Sequence, residues 1–223
     1  MREVIKLFCK EEEAYDLIYG INPDLSPFAV TADCLDVRVE FPEISESDFL
    51  DLVDGLSDCL YCDEDLSPEE NFLRFLISNK IVIATAESCT GGMLASSIIN
   101  VGGASEAFFE GLVTYSNASK IDRLGVSSET LAEYGAVSEQ TAKEMAVGLI
   151  GENVDFAIST TGIAGPSGGS EEKPVGLVYV GVAYKDYPPV AYKFLFDGDR
   201  TEIRKSAKNA AIFKAWKYLD NIL

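Results

Sequence analysis

Lys80-Ile81-Val82-Ile83-Ala84-Thr85-Ala86-Glu87-Ser88-Cys89-Thr90-Gly91-Gly92 is the stretch whose reading decides the fold. An apolar, β-branched run over 81–86 meets a turn rich in hydroxyls and glycine. An apolar, helix-like segment, Met93 to Ile99, follows, so the stretch predicts strand, turn and helix over 81–99. Backbone N–H groups at the start of a helix lack intrahelical partners and favour an anion or a developing oxyanion at the mouth of such a turn. Ser88 is therefore a candidate nucleophile. The plainer alternative makes Ser88 and Thr90 helix caps and nothing more.

Outward from this turn, strands and helices alternate. The pattern predicts strands at 111–115, 154–160, 175–184 and 190–196, with helices at 90–99, 118–124, 128–134, 139–150 and 200–221. Alternation of this kind implies an α/β fold, a three-layer-like sandwich with a mixed β-sheet flanked by helices, over residues 66–223. Ser67-Pro68-Glu69-Glu70 starts a helix running to about Ser78, with a serine cap, proline at the first position and Glu70 closing a capping box. Asp199-Arg200-Thr201-Glu202 repeats that signature before the last helix, which sets Ile203, Ala207, Ala210, Ala211 and Trp216 on a core face. Residues 1–65 read as a small acidic α+β domain. In it, residues 3–19 have the spacing of a short amphipathic helix that breaks at Gly20. Asn22-Pro23 and Ser26-Pro27 mark turns, 35–41 alternates as a half-buried strand, and Ser47 to Leu56 forms a helix capped by Ser45 or Ser47. Cys62-Asp63-Glu64-Asp65 reads as a solvated loop.

Composition narrows the chemistry. The 223 residues contain no histidine, which excludes a Ser-His-Asp or Cys-His site, or a histidine-ligated metal, within this chain. A serine nucleophile here needs Lys, Asp/Glu or Tyr as its base. The net charge of −19 divides into −15 over residues 1–79 and −4 over residues 80–223. The acidic half argues against nucleic-acid binding, which depends on neutralising phosphates. The nearly balanced half remains compatible with a small phosphate. No run of about 18 apolar residues offers a membrane span. The first residues, Met1-Arg2-Glu3-Val4, do not open a signal peptide, so the expectation is a cytoplasmic protein. The five cysteines, Cys9, Cys34, Cys59, Cys62 and Cys89, are an odd number, as expected of reduced, mostly buried thiols. Cys59 and Cys62 form a lone C-x-x-C pair, too little for a zinc site without further ligands.

Two further segments carry candidate chemistry. In 111–120, a strand leads through Tyr115-Ser116-Asn117 to Lys120. With Asn117 as cap, Lys120 falls in the first helical turn, where the dipole disfavours a cation and lowers its pKa. A surface lysine is the alternative. Thr160-Thr161-Gly162-Ile163-Ala164-Gly165-Pro166-Ser167-Gly168-Gly169 follows a strand and lacks helix formers. Such a loop lets backbone N–H groups approach a phosphate or an oxyanion; a flexible surface loop is the plainer reading. Lys173 and Arg200 are candidates to add positive charge for a phosphate.

Taken together, Ala86-Glu87-Ser88-Cys89-Thr90-Gly91-Gly92, Val113-Thr114-Tyr115-Ser116-Asn117 with Lys120, Gly135-Ala136-Val137-Ser138-Glu139, Thr161-Gly162-Ile163-Ala164-Gly165-Pro166 with Gly168-Gly169, Lys173-Pro174-Val175-Gly176, and Gly198-Asp199-Arg200 with Arg204 closely resemble the CinA C-terminal domain family. The resemblance runs in order from about residue 68 to the end. Residues 1–65, notably Tyr19-Gly20-Ile21-Asn22-Pro23 and the strand ending at Phe41, resemble the small middle domain of full-length CinA proteins. Those proteins also carry an amino-terminal molybdopterin-binding-like domain associated with ADP-ribose pyrophosphatase activity. Nothing in this sequence corresponds to it, and that activity is not carried over.

The family includes nicotinamide-nucleotide amidohydrolases. The resemblance therefore implies hydrolysis of the nicotinamide mononucleotide carboxamide to nicotinate mononucleotide and ammonia, in pyridine-nucleotide recycling, without metal or cofactor. It also implies a homodimer. By motif, Ser88 is the nucleophile, Lys120 its base, and Tyr115 hydrogen-bonds between them. Oxyanion and substrate contacts fall to Cys89, Thr90, Gly91, Gly92, Thr161, Gly162, Gly165, Gly168, Gly169, Lys173 and Arg200. A non-catalytic nucleotide- or protein-binding module of the same fold, or an amidohydrolase for another amide, remains an alternative.

Overall fold

The computed structural model describes residues 3–25 and 28–223, so the expected turn at Ser26-Pro27 lies outside the described residues. The chain divides into two compact units, Met1–Asn71 and Phe72–Leu223. The division falls inside a helix, six residues beyond the boundary read from the sequence. The first turn of that helix belongs with the first unit because Asn71 Nδ2 donates to the Tyr61 carbonyl at 2.6 Å.

The first unit runs β1 (Glu3–Phe8), α1 (Glu11–Ile21), β2 (Ala29–Asp33), β3 (Asp36–Phe41), α2 (Glu46–Gly55) and β4 (Leu60–Cys62). Its sheet has the order β2-β3-β1-β4, antiparallel throughout, a doubly split βαβ arrangement. Residues 3–8, read as the opening of a helix, are a strand instead. They form a central strand in which Ile5, Lys6 and Leu7 are all buried, which removes the alternation that would have marked it. β2 went unread because it is an exposed edge strand with only Val30 half-buried. The acidic segment after β4 is tied down rather than merely solvated: Arg38 donates to both Asp65 carboxylate oxygens at 2.7 Å. Ile5, Leu7, Ile18, Val37, Val39, Phe41, Leu52 and Leu56 fill the core. No disulfide joins the five cysteines.

α3 (Pro68–Asn79) leads into the second unit, with Ser67 and Glu70 forming the expected capping box. β5 (Ile83–Glu87), α4 (Met93–Ile99), a 3-10 turn, β6 (Phe108–Val113), α5 (Asn117–Leu124), α6 (Ser128–Tyr134), α7 (Glu139–Val147), β7 (Phe156–Gly162), β8 (Leu177–Tyr184), β9 (Val190–Leu195) and α8 (Arg200–Asp220) follow. The sheet order is β6-β5-β7-β8-β9. β5 is parallel to both of its neighbours, and β7-β8 and β8-β9 are antiparallel. This is the mixed α/β sandwich expected. Along β5, Ala84 and Ala86 join the core that includes Leu124, Leu131, Met145 and Ala146 from α5, α6 and α7. Strand alternation turns Thr85 and Glu87 to the opposite face, where α4 and α8 pack. α8 buries Ile203, Ala207, Ala210 and Ala211 as predicted, whereas Trp216 is only half-buried. Among the described residues no helix is long and apolar enough to cross a membrane.

Candidate active site

β5 delivers the chain to Ser88, whose N–H donates to the Thr160 carbonyl at 2.9 Å and so prolongs the parallel ladder by one residue. The turn that follows uses Gly91 (φ +61°) and Gly92 (φ +90°) in the left-handed region. The helix then starts at Met93, three residues later than expected, for a reason that sits on β5 itself. The Glu87 carboxylate, 1% exposed, accepts from the amides of Gly92 (2.9 Å), Leu94 (3.1 Å) and Ala95 (2.8 Å). The helix end is therefore capped by an internal carboxylate, neither open to a substrate oxyanion nor capped by Ser88 or Thr90. Thr90 instead lies buried, its hydroxyl 2.6 Å from that of Thr160.

Lys120 reaches Ser88 from α5. Ser116, not Asn117, caps this helix by accepting from Ser119 N–H at 3.1 Å. The Lys120 side chain is fully buried, with Nζ 3.0 Å from Ser88 Oγ, 2.7 Å from the Thr114 carbonyl and 3.4 Å from the Tyr115 carbonyl. Among the described residues no carboxylate pairs with it. Burial is the main cause that brings its pKa down from 10.5 to about 8. A neutral amine has two N–H bonds and one lone pair. Two carbonyls and one hydroxyl are the matching set, with the lone pair facing the serine proton.

Tyr115 does not bridge this pair with its phenol. It contributes its carbonyl to Lys120, while its side chain, 64% exposed, stands at the rim of the site. Cys89, next to the serine, is buried, and burial pushes its thiol up to about 12, which leaves it protonated near neutrality.

Ser88, Cys89, Tyr115, Ala136, Val137, Thr161, Gly162, Ala164 and Arg200 line a cavity of about 190 Å3. Thr161 hydrogen-bonds the Ala136 carbonyl at 2.6 Å and so ties two walls together. Because Thr160 turns its carbonyl toward β5 to meet Ser88, ladder parity turns the Gly162 N–H to the same side, past the end of β5. Of the expected oxyanion residues, Gly162 and Cys89 both line the cavity. A side chain at Gly162 would collide with the Leu177 carbonyl, 2.7 Å from an ideal Cβ.

The other glycines of the loop do not line the cavity. A Cβ at Gly165 would meet Val175 Cγ1 at 2.6 Å and one at Gly169 would meet the Val175 N at 2.9 Å, so these glycines admit the returning chain. Gly168 is exposed. Gly91 and Gly92 shape the turn without lining the cavity, and the buried Thr90 does not line it either. Lys173, expected near a phosphate, spends its amine on the carbonyls of Tyr134 (2.6 Å) and Val137 (2.8 Å). Arg200 does line the cavity and donates to the Gly165 carbonyl at 2.7 Å. Sequence reading passed over Ala136 and Val137 as site residues although the motif that holds them was quoted, because two small apolar side chains announce no chemistry. It also assigned no role to Glu87, a lone carboxylate at the end of an apolar strand, which was the available signal.

Residues 65–219 match the model of the CinA C-terminal domain. A competence-damage inducible protein of Clostridium beijerinckii is 47% identical over 206 residues, covering 88% of this chain and 50% of the relative. One from Clostridium perfringens is 44% identical over 202 residues, 87% of this chain and 49% of the relative. The chain thus spans about half the length of the curated relatives it matches. Among solved structures, a CinA superfamily protein from Klebsiella pneumoniae aligns with a TM-score of 0.66 at 31% identity, over 70% of this chain and 99% of that one. The competence/damage inducible protein CihA of Agrobacterium tumefaciens aligns with a TM-score of 0.62 at 40% identity, over 70% and 96% respectively. The family model, the sequence relatives and the solved structures thus point the same way, and the chain belongs to the CinA C-terminal domain family.

Proposed function

We propose that the second unit hydrolyses a planar primary carboxamide, that of nicotinamide mononucleotide, to the carboxylate and ammonia. The observation that carries this reading is the 3.0 Å approach of Lys120 Nζ to Ser88 Oγ, with the amine buried and its pKa brought to about 8. At that value a useful fraction is neutral near physiological pH and can take the hydroxyl proton. Ser88 Oγ then bonds to the carboxamide carbon and its proton passes to Lys120. The tetrahedral oxyanion is held by the Gly162 amide and by amides of the Ser88 turn. Collapse breaks the C–N bond, with Lys120 returning its proton so that ammonia departs neutral. Water attacks the resulting ester, giving one proton to Lys120, and Ser88 leaves with that proton; the carboxylic acid so formed loses its own proton to solvent or the released ammonia to become the carboxylate.

Size supports a ring in the cavity: spaces of ~150 Å3 hold a six-membered ring, and this one has about 190 Å3. A ribose phosphate would have to lie outside, where Arg200 supplies the cationic lining residue. The test is ammonia release from nicotinamide mononucleotide by the purified chain in the presence of a chelator, lost in Ser88→Ala and in Lys120→Ala. Tight binding of the nucleotide with no ammonia would favour a binding module. Release from another amide alone would move the reading to a different substrate.

A further inference from the structure

Arg204 has no part in the proton transfers above, yet its guanidinium is spent wholly on the nucleophile's turn. From the second turn of α8, Nε donates to the Cys89 carbonyl at 3.1 Å and Nη2 to the Thr90 carbonyl at 2.6 Å. Among the described residues no carboxylate pairs with it, and the guanidinium packs against Gly91, where an ideal Cβ would stand in ordinary contact with Nη2 at 3.4 Å. A planar trans peptide points its C=O and N–H in opposite directions. Holding the carbonyls of residues 89 and 90 therefore fixes where the amides of Thr90 and Gly91 point, and a cation on the oxygens polarises them. On the other flank, Ser88 N–H is anchored to Thr160. Ser88 thus stands between two anchors, one from β7 and one from α8. Arg200, four residues earlier on the same helix, holds the Gly165 carbonyl beyond the opposite wall.

We propose that Arg204 is a positioning residue that sets the Ser88 hydroxyl and the neighbouring amides for attack, an inference that rests on the amide hydrolysis proposed above. The misplacement expected when it is removed affects the transition state more than ground-state binding, and displacements of about 1 Å cost ~100-fold. Arg204→Ala in the full chain is expected to lower kcat by roughly 10- to 100-fold, with KM within about threefold. The midpoint of the pH profile stays unchanged because Lys120 is untouched. Added guanidinium at millimolar concentration is expected to restore part of kcat, and tetramethylammonium none. Arg204→Lys, whose single amine cannot span two carbonyls, is expected between the two and guards against misfolding of the alanine variant. A kcat within twofold of the parent in both variants, a KM effect at constant kcat, or a loss that guanidinium leaves untouched while melting temperature falls would each overturn the proposal. The rate at which a fluorophosphonate labels Ser88 separates this idea from the substrate assignment. If the parent releases no ammonia, the amidase reading fails, and slower labelling of Arg204→Ala still supports positioning, whereas equal labelling rates overturn it.

Discussion

Two lysines lie buried among the described residues, one in each unit, and their surroundings separate structure from chemistry. Lys6, 7% exposed, meets the Asp36 carboxylate at 3.0 Å, and Tyr61 donates its phenolic proton to the same carboxylate. Lys120, fully buried, meets two carbonyls and a hydroxyl. Taking a charge out of water is costly unless an opposite charge is supplied. The first unit supplies one; the second withholds it, and the lysine answers by giving up its proton more readily. A buried amine without a counter-charge is a base in waiting.

The largest expected effect breaks this contrast at the chemistry. Lys120→Met is expected to lower amide turnover by at least ~1,000-fold, as loss of the base does in comparable serine sites, while Lys6→Met leaves kcat/KM within about twofold, measured by ammonia release. Equal losses in both would erase the distinction. Next comes stability. Lys6→Met strands the Asp36 carboxylate and is expected to cost about 3 kcal/mol in urea unfolding, with much of it recovered when Asp36→Leu is added.

The pH dependence sharpens the comparison further. The folded-state pKa of Lys120, about 8, lies below the ordinary 10.5. Between those values the unfolded chain binds more protons, so the lysine's penalty is complete below pH 8 and fades as pH rises toward 10.5. It amounts to about 3 kcal/mol at most. The melting temperature of Lys120→Met relative to the parent should therefore fall steadily from pH 7.5 to pH 10 (~10 °C at the extreme for a chain of this size). Over the same chemistry, kcat/KM of the parent rises with pH and reaches half its plateau near pH 8. A third lysine gives the smallest effect. Lys173 holds two carbonyls from a half-exposed position, and Lys173→Met is expected to cost about 1 kcal/mol of stability with KM nearly unchanged. A large rise in KM would instead return Lys173 to the substrate.

The sandwich was legible because its strands are long and β-branched and its helices carry their caps in the sequence, as at Ser67 with Glu70 and Asp199 with Glu202. The first unit was less so. β1 is buried on both faces and lost its alternation, while β2 is an edge strand with almost nothing to bury. At the site, the motif around Ser88 and the lysine after Tyr115 stood out as chemistry-bearing residues. What each side chain does there followed from contacts across the fold: Glu87 took the helix amides expected to serve an oxyanion, Tyr115 offered its carbonyl in place of its phenol, and Lys173 turned to the α6–α7 connection.

By itself the sequence determined the alternation of strands and helices, the strand-to-helix corner at Ser88, and the absence of any imidazole side chain in this chain, since periodicity, caps and composition are local properties. Only the tertiary structure decided that Lys120 meets Ser88 across 32 positions of chain, that among the described residues no carboxylate accompanies it, and that Arg204 reaches the turn across more than a hundred. Burial and the company of a charge depend on which elements the sheet brings together, and no window of neighbouring residues contains that information.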